Sequence, residues 1–558
     1  MCHGPLKGWT VGPSYLCLAQ HWVKAVEHHE PNAMPLAYAD DLQATARTTR
    51  AVQKVLTVTK RFCQLTGMKL NTPKSGVWAT SRRLRLQLQN NCCVDHQPIP
   101  LRWDDRCLGA YLSFTRRKCR SRIQHTEKDC DEILGRIEGL SLHLEARAHL
   151  VAAMVLPKAL YGTAVSPPGE KEMRHLRAKC ARAVWGHANR WRSVEAMFGL
   201  FTKGHLVDPL QKYSYDTFVS MRRVLRRRRE LIPIFERIMC RRQLSRDSVP
   251  GPVASIMCAA HHANISFEDG RPTIIHHLNE HNALETVELQ WLAPDCDTGG
   301  FLHALRESLR MEQWSEVAYR REDFRGAESG VNRKATLELH RMLSGLDRYR
   351  IRTILCGALN TKSRLVRLSD EVDPTCSCCE TGAMETTRHL FSECPALAEG
   401  RHSEMQYEEW HNLPNCLKLL GIMPKDMAGI PARFQDEDGL KQLACFVQHN
   451  LLDLWQRRCD LTENVMQPQP RWQATRNVRP RAEIAQQVQV AEMAQEANRG
   501  TTRQTEPAQV RNVRPRIQRP DRARRTDLPS RRNVRQRLQE NTFVQGANLQ
   551  NGANWQAN

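Results

Sequence analysis

Four metal-ligating side chains fall within nineteen residues of this chain, in "CSCCETGAMETTRHLFSEC", residues 376–394. Cys376 and Cys379 form a C-x2-C pair; after nine intervening residues His389 opens an H-x4-C pair with Cys394. A C-x2-C turn presents two thiolates to one tetrahedral ion, and a helix carrying His389 can bring the second pair around. The spacing predicts one Zn2+ at Cys376, Cys379, His389 and Cys394, a site that stabilises a unit with little core of its own. Cys378 is an alternative ligand, and a buried thiol cluster without metal is the rival reading. The other cysteines, Cys92-Cys93 among them, show no ligand spacing.

Twenty cysteines in a chain of 558 residues without a secretory signal point to free thiols and metal ligands, hence to a reducing compartment, cytoplasmic or nuclear. No apolar run reaches the roughly 18 residues needed to span a bilayer, so no membrane is expected. Lys and Arg number 82 against 60 Asp and Glu, a net charge of +22. Such an excess favours a polyanionic partner, nucleic acid first and an acidic membrane surface second.

The length predicts several folded units with linkers. Residues 1–80 mix strand and helix. Leu36 to Ala44 reads as strand, tight turn, strand; Val52, Val55, Leu56, Phe62 and Leu65 follow a helical stripe that Gly67 ends. Val77-Trp78-Ala79 reads as a short strand. Within residues 81–190 the pattern is helical from about 118, with a stripe at Ile133, Leu134, Ile137, Leu140 and Leu142, a break at Pro167-Pro168 and a helix from Met173 to Trp185. Residues 191–330 read as a helical connector and 331–465 as a helical unit holding the cysteine cluster. Residues 466–558 contain no Lys, are rich in Gln, Asn and Arg, and repeat "RNVRPR" and "RNVRQR" at irregular intervals. That composition cannot bury a core, so the tail is expected to be disordered. Within the connector, Arg222, Arg223 and Arg226, Arg227, Arg228 and Arg229 are candidate nucleic-acid contacts; a solvated helix face is the rival reading.

"AYADD", residues 37–41, places Asp40 and Asp41 side by side. Neighbouring carboxylates repel, and are tolerated at a solvated turn or around a cation. On a hairpin they suit Mg2+, as two-metal phosphoryl transfer requires; a plain turn is the rival reading. Downstream come "TGMKLNTPKS" (66–75), "CLGAYL" (107–112), "VLPKALYG" (155–162) and "RAVWG" (182–186). In this order the motifs resemble the palm and thumb of non-LTR retrotransposon reverse transcriptases, and the Cys376–Cys394 cluster, with Glu385-Thr386 and Pro395, resembles the zinc cluster that follows the polymerase there.

That resemblance implies RNA-directed DNA polymerisation on RNA and DNA. It makes Asp40 and Asp41 catalytic Mg2+ ligands and places Tyr38 at the primer terminus. Gly67, Asn71 and Lys74 fall on a substrate-binding stretch in which the lysine helps protonate pyrophosphate, with a solvated loop lysine as rival. Leu108 and Gly109 correspond to the primer grip, and Tyr161 and Trp185 to thumb core. The family also uses a third carboxylate on an upstream strand. Here the first aspartate is Asp40, and Glu27 and Glu30 read as helix surface. The expectation is an α+β chain with a partial palm, helical thumb and connector, zinc cluster and basic tail. It would be inactive alone unless the missing half is supplied in trans. The alternative is a noncatalytic nucleic-acid-binding protein using thumb, zinc cluster and tail. No acidic constellation suggests an RNase H or endonuclease.

Overall fold

A computed structural model of the chain describes residues 12–38, 41–94, 97–113, 122–187, 191–240, 251–278, 284–293, 300–369, 371–400 and 407–461. Asp40 and the tail 466–558 lie outside them. The described residues are predominantly helical with small antiparallel sheets, an α+β arrangement. No helix among them is long and apolar enough to cross a membrane.

Helix α1 (Gly12–His29) leads into a hairpin of β1 (Ala33–Tyr38) and β2 (Asp41–Ala46), followed by α2 (Thr49–Leu65). The strands pair from Ala33↔Ala46 to Tyr38↔Asp41, the strand–turn–strand expected over Leu36 to Ala44 and a few residues longer at each end. One face of β1 turns Ala33 inward against Trp22 and Val26 of α1 and Val55 of α2; the other leaves Met34, Leu36 and Tyr38 exposed. Trp22 Nε1 donates to Thr59 Oγ1 at 3.1 Å, tying α1 to α2. The Thr48 side chain caps α2, and the helix stops where Gly67 takes φ 68° and Met68 N–H returns to the Cys63 carbonyl. Leu65 departs from the expected stripe: it is 79% exposed. Glu30 departs too. It is buried, 3.4 Å from Lys54 Nζ, whereas Glu27 stays on the surface.

A second small cluster gathers Val77, Ala79, Leu88, Cys92, Val94 and Ile99 around α3 (Arg82–Asn91), β3 (Cys93–Val94) and β4 (Gln97–Pro98). The strand expected at Val77–Ala79 is a single bridge to Leu101. A hairpin of β5 (Asp104–Cys107) and β6 (Ala110–Ser113) follows.

The main body begins with α4 (Arg122–Glu138), α5 (Leu144–Leu150) and α6 (Leu156–Ala159). Leu134 and Ile137 are buried as expected, but Leu140 and Leu142 lie past the end of α4 and are exposed. Between α5 and α6 the chain widens into a π turn, Val151–Val155. Pro157 explains it: without an N–H, proline cannot close the bond to residue 153 and its ring crowds that carbonyl. Pro167-Pro168 then separates α6 from α7 (Glu170–Trp185).

Helices α8 (Val194–Phe201), α9 (Gly204–Val207), α10 (Pro209–Arg227), α11 (Ile232–Met239) and α12 (Pro252–His262) come next. The segment read as helices and loops also holds a sheet of order β7 (Ile265–Glu268), β8 (Arg271–Leu278), β9 (Leu284–Glu288). Its first turn is Asp269-Gly270, both at positive φ (48° and 82°), a hairpin signal present in the sequence and overlooked. Then come α13 (Phe301–Arg320), α14 (Arg333–Thr336), α15 (Glu338–Met342), α16 (Gly345–Leu355), α17 (Lys362–Leu365), α18 (Tyr407–Asn412), α19 (Asn415–Leu420) and α20 (Glu437–Leu461).

One hydrophobic cluster runs from Cys130 to Trp455, so the core does not part at residue 190 or 330. A buried ionic knot pins it. Arg177 of α7 binds Asp208 at 2.7 Å and Glu195 at 3.0 Å, and Arg320 of α13 reaches Glu195 at 2.6 Å. Asp208 also caps α10. Loss of one partner in such a pair costs about 3–5 kcal/mol, because the other charge stays buried.

Candidate functional site

The Cys/His motif forms its site from two local devices. The first is a knuckle: Thr375 bridges Met384, Cys376 N–H donates to the Ala383 carbonyl at 2.8 Å, and Gly382 takes φ 68° to turn the chain back. This sets the Cys376 and Cys379 sulfurs on one side. The second is a π turn, His389–Glu393, in which Cys394 N–H returns to the His389 carbonyl at 2.6 Å. A bond between residues five apart brings both ends of H-x4-C to the same face, which accounts for a spacing one residue longer than an α-helical turn. Thr386 Oγ1 accepts from His389 N–H at 3.0 Å and starts that turn.

The ligand atoms of Cys376, Cys379, His389 and Cys394 all lie within 4.8 Å of one another. Zinc–sulfur bonds of about 2.3 Å at tetrahedral angles give S···S edges of about 3.8 Å and slightly shorter S···N edges. The Cys376–Cys394 sulfurs stand 3.9 Å apart, and Cys379 Sγ is 3.4 Å from His389 Nε2. These four residues therefore fit a metal such as Zn2+.

Cys378 is outside the group. Its N–H donates to Cys376 Sγ at 3.4 Å, support for a thiolate, while burial and then Cys376 and Cys394 push its own thiol up to about 12. Burial likewise pushes Cys394 up to about 12. Against burial, hydrogen bonding from Thr381, His389 and Cys376 brings the Cys379 thiol down to about 6. Leu390 and Phe391, fully buried, anchor the π turn in the main core.

The hairpin site is described on one side. Asp41 is exposed and pairs with Tyr38, itself 66% exposed; Asp40 lies outside the described residues. Among the described residues no trio of ligand groups gathers at Asp41, so the Mg2+ expectation has no support there. Gly67 and Asn71 have clear local roles. Gly67 ends α2, and the Asn71 side chain accepts from Lys74 N–H at 3.2 Å to shape the turn. Lys74 is exposed, with no side-chain bond to the hairpin among the described residues.

Leu108 and Gly109 join β5 to β6 as a two-residue turn with φ of 47° and 82°. Left-handed geometry at both positions is the type I′ pattern, and at leucine it costs about 1–2 kcal/mol. The turn is held from outside. Tyr161 Oη donates to the Leu108 carbonyl at 2.8 Å, and at Gly162 a Cβ would stand 2.6 Å from Ala110 Cβ. Tyr161 is half-exposed and serves this turn, whereas Trp185 is 1% exposed, as expected of core. Gln43 of β2 donates to Cys107 Sγ at 2.7 Å, linking the Asp41 hairpin to the same turn.

The basic stretch divides. Arg223, Arg226, Arg227, Arg228 and Arg229 are exposed, Arg228 paired with Glu230 at 2.5 Å. Arg222 corrects the expectation. It is 5% exposed, donates to the Trp291 and Ala293 carbonyls and covers the Phe301 ring at 5.0 Å, so it braces the core and cannot meet a phosphate. Sequence reading overlooked Arg147, Arg192 and Arg352, which packing brings together beside Trp185. Compared with known proteins, the chain matches no family model and no curated protein sequence.

Proposed function

We propose that this chain carries the palm hairpin, thumb and zinc cluster of a non-LTR retrotransposon reverse transcriptase, an RNA-directed DNA polymerase by descent that binds RNA and DNA. One relay of contacts carries the reading. Tyr38 and Asp41 close the hairpin, Gln43 two residues on bonds Cys107, and the adjoining Leu108–Gly109 turn is held by Tyr161. The hairpin that carries the acidic motif, through Gln43, and two further motifs quoted for the resemblance thus touch. The ordered cluster at Cys376–Cys394 supports the same reading.

In this reading Tyr38 faces a primer terminus, and Asp40 and Asp41 are the inherited acidic pair. Two-metal phosphoryl transfer needs further ligands than Asp41 finds among the described residues. In this reading a first palm strand that brings a third carboxylate is expected to be needed for primer extension. The test is a fusion that places fingers and a first palm strand of a non-LTR polymerase ahead of the chain. Extension on primed RNA is expected, abolished by Asp40→Asn. A fusion that folds, binds primed RNA and extends nothing would overturn the polymerase reading in favour of a noncatalytic nucleic-acid-binding protein, to which the exposed arginines of α10 also suit the chain.

A further inference from the structure

Three arginines from separate elements converge at the C-terminal end of α7. Arg147 of α5 lies over Gly186, where any Cβ would overlap its guanidinium; Gly186 at φ 93° both ends the helix and makes room for the cation. Arg352 of α16 covers the Trp185 ring at 5.0 Å and the Tyr349 ring at 5.3 Å. Arg192, just before α8, covers Trp185 at 5.8 Å and donates to the His187 carbonyl at 3.5 Å. His187 stands among the three, its Nε2 accepting from Trp185 Nε1 at 3.1 Å.

Two members of this cluster, Arg147 and Arg352, lack what their charge requires among the described residues. The Nε atoms of Arg147 and Arg352 are buried and have no hydrogen-bond partner, and neither guanidinium forms an ion pair among the described residues. Of the two carboxylates whose field reaches them, Glu138 binds Arg182 at 2.9 Å and Glu145 is exposed. The strain registers on the groups themselves. Burial, then Arg192, Arg352 and Arg147, holds the His187 imidazole down to about 4, and burial brings Arg192 down to about 10. Gathering half-buried like charges without an anion is costly, and an anion delivered among them would offset that cost.

We propose that Arg147, Arg192 and Arg352 form an oxyanion site that takes a backbone phosphate of a bound nucleic-acid strand. Guanidinium forks match a phosphate with paired N–H donors, and stacking on Trp185 and Tyr349 holds Arg352 in place before the ligand arrives. The site remains reachable, since all three arginines are partly exposed and Arg182 and Arg348 lie exposed on the same helices as Trp185 and Tyr349. Phosphate chemistry follows from the cluster alone; the polymer that carries the phosphate rests on the nucleic-acid reading above.

The test uses the full chain with Arg147→Gln, Arg352→Gln and the double variant, and Arg433→Gln as control. One arm titrates a short labelled RNA–DNA duplex at several salt concentrations. Each single variant should lose about tenfold in affinity, and the double variant should lower the slope of log affinity against log salt by about one to two. The second arm follows thermal unfolding in inorganic phosphate and in chloride at equal ionic strength. Phosphate should raise the midpoint of the wild type and not of the double variant. Without phosphate the double variant should melt no lower than wild type, because removing uncompensated like charge does not destabilise. A double variant that melts lower, ignores phosphate as wild type does and binds the duplex unchanged would overturn the proposal. Phosphate stabilisation with unchanged duplex affinity would overturn the nucleic-acid occupant. A wild type that binds no duplex would sink the functional reading, while the phosphate arm still reports on the arginines.

Discussion

The guanidinium of Arg458, near the end of α20, reaches the carboxylate of Glu385 at 2.6 Å, and both are buried, at 3% and 0% exposure. Glu385 also accepts from Lys362 N–H at 3.0 Å, and Arg458 covers the Trp455 ring at 4.8 Å. The glutamate next to the turn that carries His389 is thus locked to the last described helix. Arg458→Met should leave a buried carboxylate unpaired and cost about 3–5 kcal/mol in chemical denaturation. A loss below about 1 kcal/mol would show that solvent reaches Glu385.

Zinc content tests the ligand set directly. Purified protein should carry about one zinc per chain by elemental analysis, as one tetrahedral site requires. Cys379→Ser should lose it and Cys378→Ser should keep it. Retention by the first variant, or loss by the second, would redraw the site.

Gly162→Ala probes the brace on the Leu108–Gly109 turn. A methyl group there meets Ala110 at 2.6 Å, on a backbone at φ 75°. The two penalties together should exceed about 1 kcal/mol. Gly135→Ala, inside α4 with nothing within 4 Å of its Cβ, should instead be neutral or stabilising.

His340 should make the fold acid-sensitive. It is 5% exposed, its ring tilted against Phe201 at 4.9 Å between centroids; burial, then Arg348 and Arg352, holds its imidazole at about 4 against the ordinary 6.5. The unfolded chain takes up the proton below about 6.5 while the folded chain resists until about 4. Stability is therefore intact at neutral pH and falls through that window, by up to about 3 kcal/mol from this group. Denaturation of His340→Gln should show a shallower acid loss than wild type; equal losses would remove His340 from the account.

If the proposed nucleic-acid binding holds, deleting residues 466–558 should weaken it without regard to base sequence and flatten its salt dependence, because an Arg-rich segment on phosphates would release counterions. Equal salt slopes for the full and shortened chains would place the binding on residues 1–465 alone.

What the sequence determined by itself was local. The four candidate metal ligands were legible because two turns, each only a few residues long, carry them, and the backbone geometry of such turns follows from their spacing. The β1–β2 hairpin and the Gly67 stop were legible for the same reason, and the Asp269-Gly270 turn was there to be read. Only the tertiary structure decided the rest. Arg222 and Arg226 look alike in sequence, yet α10 turns the first into a core lined by Trp291 and Phe301 and leaves the second outside. Glu30 reads as helix surface until Lys54 of α2 packs beside it. Arg147, Arg192 and Arg352 carry no shared motif. They meet because α5, the segment before α8, and α16 are pressed onto the end of α7 by a common core. Short-range spacing sets local geometry through the bonds of the chain, whereas the partners of a side chain across the fold depend on which faces bury together.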